Sequence, residues 1–167
     1  MELCVRHGDF CPHNVLVADP GSSPPIGVID WTFGRPAGLP LHDLIMFATT
    51  YALQVRRPGV TGLKEAFVGT FLGASAYGTV VRQAMARYLA AVGVPPALGR
   101  ILFAVCLLEE AVAGYRRTRR AAARGSLQRL TLMLARDEGR SWEDAPKAQL
   151  WARYFRLFAA NQCRYPS

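Results

Sequence analysis

Between Val15 and Ile29 the chain is built to double back on itself. Two short apolar runs rich in β-branched residues, Val15 to Val17 and Ile26 to Ile29, flank Asp19-Pro20-Gly21-Ser22-Ser23-Pro24-Pro25. A segment of that composition turns, so the two runs are predicted to pair as a β-hairpin. In an antiparallel pair the start of the first strand meets the end of the second. Asp9 and Asn14 precede the first run and Asp30 closes the second, so all three are expected at one edge of the ribbon. Two carboxylates and an amide are hard oxygen ligands of the kind Mg²⁺ prefers, with one carboxylate left to accept a proton from a hydroxyl. Phosphoryl transfer needs such equipment.

The order His7-Gly8-Asp9, Asn14, then an apolar run ending in Ile29-Asp30-Trp31 resembles the His-x-Asp-x-x-x-x-Asn loop and metal-binding strand end of the kinase superfamily. Its particular form resembles the aminoglycoside phosphotransferase and choline kinase-like family. Gly34-Arg35-Pro36 followed by Leu41-His42-Asp43-Leu44 is similar to that family's lead into its next helix.

The resemblance implies an α+β, predominantly α, fold: a helical kinase-like C-terminal lobe with a short β-hairpin carrying the catalytic and metal-binding residues. It implies that Asp9 is the catalytic carboxylate, orienting the acceptor hydroxyl and taking its proton. Asn14 and Asp30 would hold Mg²⁺ and, through it, the phosphates of ATP or GTP. His7 would support the loop by hydrogen-bonding backbone near Asp30, and Asp43 would brace it through backbone amides. Asp43 reads equally well as a first-turn carboxylate favoured by the helix dipole. Trp31 would pack under the metal loop. Two positions depart from the family pattern: Cys11 stands where a polar residue is frequent, and Thr32 stands where an acidic one is frequent.

In the resembled family the His-Gly-Asp loop follows a β-rich nucleotide-grasping lobe, whereas here it begins at residue 7, and the only lysines are Lys64 and Lys147. A single partial domain over residues 1–167 is therefore expected. It comprises a catalytic and metal hairpin over 5–34 and a helical remainder over 40–160, with the N-terminal nucleotide-grasping lobe absent. The expected function is ATP- and Mg²⁺-dependent phosphorylation of a small-molecule hydroxyl, inactive in the isolated chain. Two other readings stay open. One is an inactive scaffold or partner subunit completed by a second chain that carries the missing lobe. The other is a metal-dependent His-Asp phosphohydrolase using His7, His13 and the His42-Asp43 pair.

From Leu41 the apolar period lengthens to about 3.6 residues. Helices are predicted over Leu41 to Val55, Thr61 to Leu72, Thr79 to Val92, Ala97 to Tyr115, Ser126 to Ala135 and Ala145 to Ala160. Leu44, Ile45, Phe47, Ala48 and Tyr51 are expected on one side of the first. Leu102, Val105, Cys106, Leu108 and Val112 make Ala97 to Tyr115 the expected buried central helix, with Glu109 and Glu110 paired to arginines. Trp142, Trp151, Tyr154, Phe155 and Phe158 are expected to supply core from the last.

Charge and cysteine usage narrow the partners. The net charge is +8, which argues against a polycationic acceptor. Arg116 to Arg136 includes no interleaved aromatic residue, so it lacks a stacking platform for single-stranded nucleic acid, and a solvated basic face is expected. Cys4, Cys11, Cys106 and Cys163 are scattered, as reduced thiols are. The first six residues carry no signal-peptide pattern and no apolar run is long enough to span a bilayer, so a cytoplasmic protein with no membrane partner is expected.

Overall fold

The computed structural model describes residues 4–19, 21, 23, 25–56, 62–121 and 147–160. Within them, four short strands precede five helices. The strands are β1 (Cys4–Arg6), β2 (Val15–Val17), β3 (Ile26–Val28) and β4 (Arg35–Gly38). The helices are α1 (His42–Arg56), α2 (Leu63–Phe67), α3 (Ala76–Ala91), α4 (Pro96–Ala121) and α5 (Lys147–Ala160). The fold is α+β and mainly helical.

The predicted hairpin is present, with Val15 opposite Val28, Leu16 opposite Gly27 and Val17 opposite Ile26. A second antiparallel pair joins β1 to β4, setting Cys4 against Gly38 and Arg6 against Arg35. Sequence pattern did not reveal it, because Arg35-Pro36-Ala37-Gly38 holds no strong strand former. Proline is tolerated there because a two-stranded ribbon leaves each strand an open edge. Gly38 makes room for the neighbouring strand: a Cβ at this position would lie 2.7 Å from Cβ of Arg6.

Helix α1 turns a different face to the core than the predicted stripe. Ile45, Ala48, Thr49, Ala52 and Leu53 are buried, whereas Tyr51 is 40 % exposed. Apolar residues cover so much of this helix that the pattern merged two adjacent faces. The single helix predicted over Thr61 to Leu72 breaks after α2 into a wide π turn, Val68–Leu72, closed by the Gly73 N–H donating to the Val68 carbonyl at 2.5 Å. Helix α3 starts at Ala76 because Ser75 caps it, its Oγ accepting from the Gly78 N–H at 2.9 Å. Helix α4 is not buried all round. Leu102, Phe103, Cys106 and Leu107 face inward, but Val105, Leu108 and Val112 are 40 to 45 % exposed.

The core is aromatic at its centre. Phe67 from α2 meets Phe71 (5.4 Å between centroids), Phe103 of α4 (6.4 Å) and Tyr154 of α5 (4.6 Å), and Phe103 meets Phe158 (5.2 Å). Burying each such ring is worth roughly 1.5–3 kcal/mol. Tyr154, Trp151 and Phe158 are buried as expected of the last helix. The helix predicted over Ser126 to Ala135, with Trp142 and Cys163, lies outside the described residues. Cys4, Cys11 and Cys106 are free thiols, and burial pushes Cys106 up to about 12, so it packs as a small core residue. Among the described residues no single helix is long and apolar enough to cross a membrane.

Candidate active site

The loop leaving β1 is pinned from three directions. Gly8 takes φ +82°, and a Cβ on it would lie 2.6 Å from the Phe33 carbonyl oxygen, so the turn requires glycine twice over. Asp43, in the first turn of α1, accepts from the His7 N–H at 2.6 Å and the Gly8 N–H at 3.0 Å. It therefore both faces the positive helix end and braces the loop. The buried His7 ring donates from Nε2 to the Ile29 carbonyl at 2.8 Å and accepts at Nδ1 from the Asp9 N–H at 3.3 Å.

Asn14 closes a short 3₁₀ turn, Pro12–Asn14. Its side chain is buried and donates Nδ2–H to the Asp9 carbonyl at 2.9 Å. Its own carbonyl accepts from the Ile29 N–H at 3.0 Å, extending the hairpin pairing one step past the strands. The segment holding Asp9 and Asn14 is thus tied by hydrogen bonds to Ile29, the residue before Asp30.

Asp30 lies two residues beyond β3 rather than closing it, in the left-handed region at φ 59°, ψ 64°. A non-glycine residue there costs on the order of 1–3 kcal/mol and is typical of sites where function fixes the backbone. The exposed carboxylate accepts from the Thr32 hydroxyl at 2.6 Å and the Thr32 N–H at 3.4 Å. The hydroxyl bond is foremost among the effects holding Asp30 below the usual carboxylate range. Thr32, a departure from the family pattern, therefore contributes a contact to the proposed metal ligand. Trp31 packs over His7, 4.7 Å between centroids, and donates Nε1–H to the Val28 carbonyl at 3.2 Å.

The donor chemistry fits a divalent cation of the Mg²⁺ type. Asn14 spends its amide N–H on Asp9, leaving the amide oxygen as its acceptor, and Asp30 is ionised. An amide oxygen and a carboxylate, completed by phosphate oxygens, are hard ligands in the usual Mg²⁺ pattern.

A buried ionic network lies behind this loop, and the pairing expected of Glu109 and Glu110 is made by a distant arginine. Arg6, the last residue of β1, reaches α4: Nη1 donates to Glu109 Oε1 at 2.6 Å and Nη2 to Glu110 Oε1 at 3.0 Å. His42 Nε2 lies 2.7 Å from the same Glu110 oxygen and also touches Arg6 Nη2, while Nδ1 lies 3.5 Å from Asp43 Oδ1. The sequence signal was there: two adjacent carboxylates in an otherwise apolar helix need a cation. Their arginine is Arg6, about a hundred residues away, rather than those that follow them in the chain.

Burial alone would push His42 down, but its contacts with Asp43 and Glu110 outweigh that and raise it above 6.5. Burial pushes Asp43 the other way, yet His42 and the Gly8 and His7 amides hold it below 3.8. Stability contributed by His42 is full below pH 6.5 and lost as pH rises through its raised folded value; that of Asp43 is present above 3.8 and lost as pH falls through its lowered one. We expect urea-unfolding free energies to fall from pH 6 to 8, with a flatter slope in His42→Gln. An unchanged slope in the variant would remove His42 as the cause.

His13 is exposed and pairs with Gln54 at 3.0 Å, whereas His7 and His42 meet only through Asp43. Among the described residues no group of three or more His, Cys, Asp or Glu is arranged to hold a metal, so the donor set of the phosphohydrolase reading does not assemble.

The pinned loop, the hairpin and the helix brace all lie within the first 56 residues. A family model described as the phosphotransferase enzyme family matches residues 1–88, just over half of the 167 residues, and the chain belongs to that family. It is a phosphotransferase-type kinase family whose members generally use ATP and Mg²⁺. No curated protein and no solved structure matches the chain.

Proposed function

We propose that the chain is the helical, acceptor-side lobe of an ATP-dependent phosphotransferase acting on a small-molecule hydroxyl. The observation carrying this reading is the set of hydrogen bonds tying the segment from His7 to Asn14 to Ile29 and Asp43. With the loop so held, Asp9 orients the acceptor hydroxyl and takes its proton as the phosphoryl group moves. Asn14 and Asp30 hold Mg²⁺, which when bound neutralises charge on the transferring phosphates. The nucleotide-grasping part is supplied by a further segment or a second chain. In support, the ribbons and the Trp31–Phe33 turn leave Val5, Leu16, Val17, Ile26 and Phe33 between 54 and 79 % exposed, apolar side chains suited to a covering element.

The test uses Mn²⁺ as a paramagnetic probe in NMR spectra of the chain. Added Mn²⁺ is expected to broaden the amides of residues 9, 14 and 30 first, and Asp30→Ala to weaken that binding at least tenfold. In the enzyme completed with its nucleotide-binding part, Asp9→Asn is expected to lower kcat by about 10²–10⁴-fold while leaving Mn²⁺ broadening intact. Broadening centred elsewhere would refute the assignment.

A further inference from the structure

Immediately after Asp9 begins a run of part-exposed rings, of which Tyr77 also packs against the core. Phe10 lies 5.2 Å from Phe47 of α1, Phe47 lies 6.1 Å from Tyr51, and Tyr51 lies 5.4 Å from Tyr77 of α3, each pair within 33° of parallel. The Tyr77 hydroxyl donates to the Ala48 carbonyl at 2.9 Å, which fixes the last ring against α1. Phe47, Tyr51 and Gln54 stand at i, i+4 and i+7, one face of the helix. The loop residues Phe10 and His13 close on that face at its two ends. Core rings such as Phe67, Phe71 and Phe103 are almost wholly buried, whereas Tyr51 is 40 % exposed and Phe10, Phe47 and Tyr77 are half-buried.

The charge around these rings is as informative as their shape. Between Asp43 and Glu109 the sole acidic residue is Glu65, and the chain carries +8. Glu65 lies on α2 rather than on either helix that supplies the rings. Nothing on α1 beyond Asp43, or on α3, offers a carboxylate to a cationic acceptor. Phe47, Tyr51 and Tyr77 stack on one another in a row, rather than in the enclosing cage that holds a quaternary ammonium.

We propose that the face formed by Phe10, Phe47, Tyr51 and Tyr77 is the acceptor subsite. It takes a neutral, hydroxyl-bearing molecule with an aromatic or flat apolar face, which stacks on the rings and extends its hydroxyl toward Asp9. The role given to Asp9 rests on the phosphotransferase reading; the stacking does not.

Saturation-transfer NMR on the full chain without nucleotide, using phenyl β-D-glucopyranoside as the probe, tests this directly. Transfer to the phenyl protons is expected, with binding about tenfold weaker in Tyr51→Ala and preserved in Tyr51→Phe. Methyl β-D-glucopyranoside should show little transfer, and neither kanamycin nor choline should displace the phenyl glucoside. Equal transfer to the methyl glucoside, displacement by either cation, or an unaltered signal in a folded Tyr51→Ala variant would overturn the subsite. Saturation transfer without Mn²⁺ broadening at residues 9, 14 and 30 would sink the phosphotransferase roles alone. Broadening without saturation transfer would sink this inference alone.

Discussion

Glu110→Ala is expected to cost about 3 kcal/mol of unfolding free energy, the usual scale for removing one partner of a buried ion pair. The carboxylate is 6 % exposed and takes both Arg6 Nη2 and His42 Nε2 on one oxygen. Without it, Arg6, itself 9 % exposed, keeps Glu109 and the His42 ring, and His42 keeps Arg6 and the looser contact to Asp43 at 3.5 Å. Glu109 is the weaker substitute because its side chain is 36 % exposed, where solvent screens the pair. Glu110→Gln, which retains an acceptor oxygen, should lose less. Joint replacement of Arg6 by Met and Glu110 by Leu should cost well under the sum of the single changes, since a buried pair exchanged for apolar packing is often near neutral. Urea denaturation of the four proteins closes the cycle. A cost below about 1 kcal/mol for Glu110→Ala would show that Arg6 and His42 find other partners.

The local geometry of the loop and hairpin was more legible than the fold around it, for a physical reason. A loop that holds polar groups at fixed positions depends on rigid local chemistry: the glycine at Gly8, the turn before Val15 and the two β-branched runs. Those signals are short-range and survive in the sequence. The bracing role of Asp43 was half legible, since its place in a first turn was evident while its bonds to His7 and Gly8 came only through the family resemblance. What escaped was long-range. No pattern links Arg6 to Glu109 and Glu110, nor Cys4 to Gly38, because pairing across such separations leaves no periodicity. Helix boundaries moved where side chains outside the periodic pattern decided them, as with the cap from Ser75 and the break after Phe67. The faces of α1 and α4 were misjudged for a related reason: a helix apolar over most of its surface does not tell from sequence which stripe the core takes. On α1 the merged stripe set Phe47 and Tyr51 on the core side, although both are part-exposed.

Gly8→Ala is expected to be the most damaging small substitution in the loop. Its φ of +82° imposes roughly 1–2 kcal/mol on any residue with a Cβ. That cost is shared by Gly93, at φ +67°, where an added Cβ would meet nothing within 4 Å, so Gly93→Ala serves as the conformational control. At Gly8 the added carbon would also stand 2.6 Å from the Phe33 carbonyl oxygen. That oxygen belongs to backbone and cannot swing aside as a flexible side chain would. Either the Trp31–Phe33 turn moves, taking with it the Thr32 contacts to Asp30, or the loop moves and its amides leave Asp43. Gly8→Ala should therefore lower the melting temperature by several degrees more than Gly93→Ala, at about 2–4 °C per kcal/mol for a chain of this size. The His7 and Gly8 amides should lose hydrogen-exchange protection in the first variant and keep it in the second. Equal losses in the two variants would mean that the Phe33 contact yields freely, and that the loop is held by Asp43 and Ile29 alone.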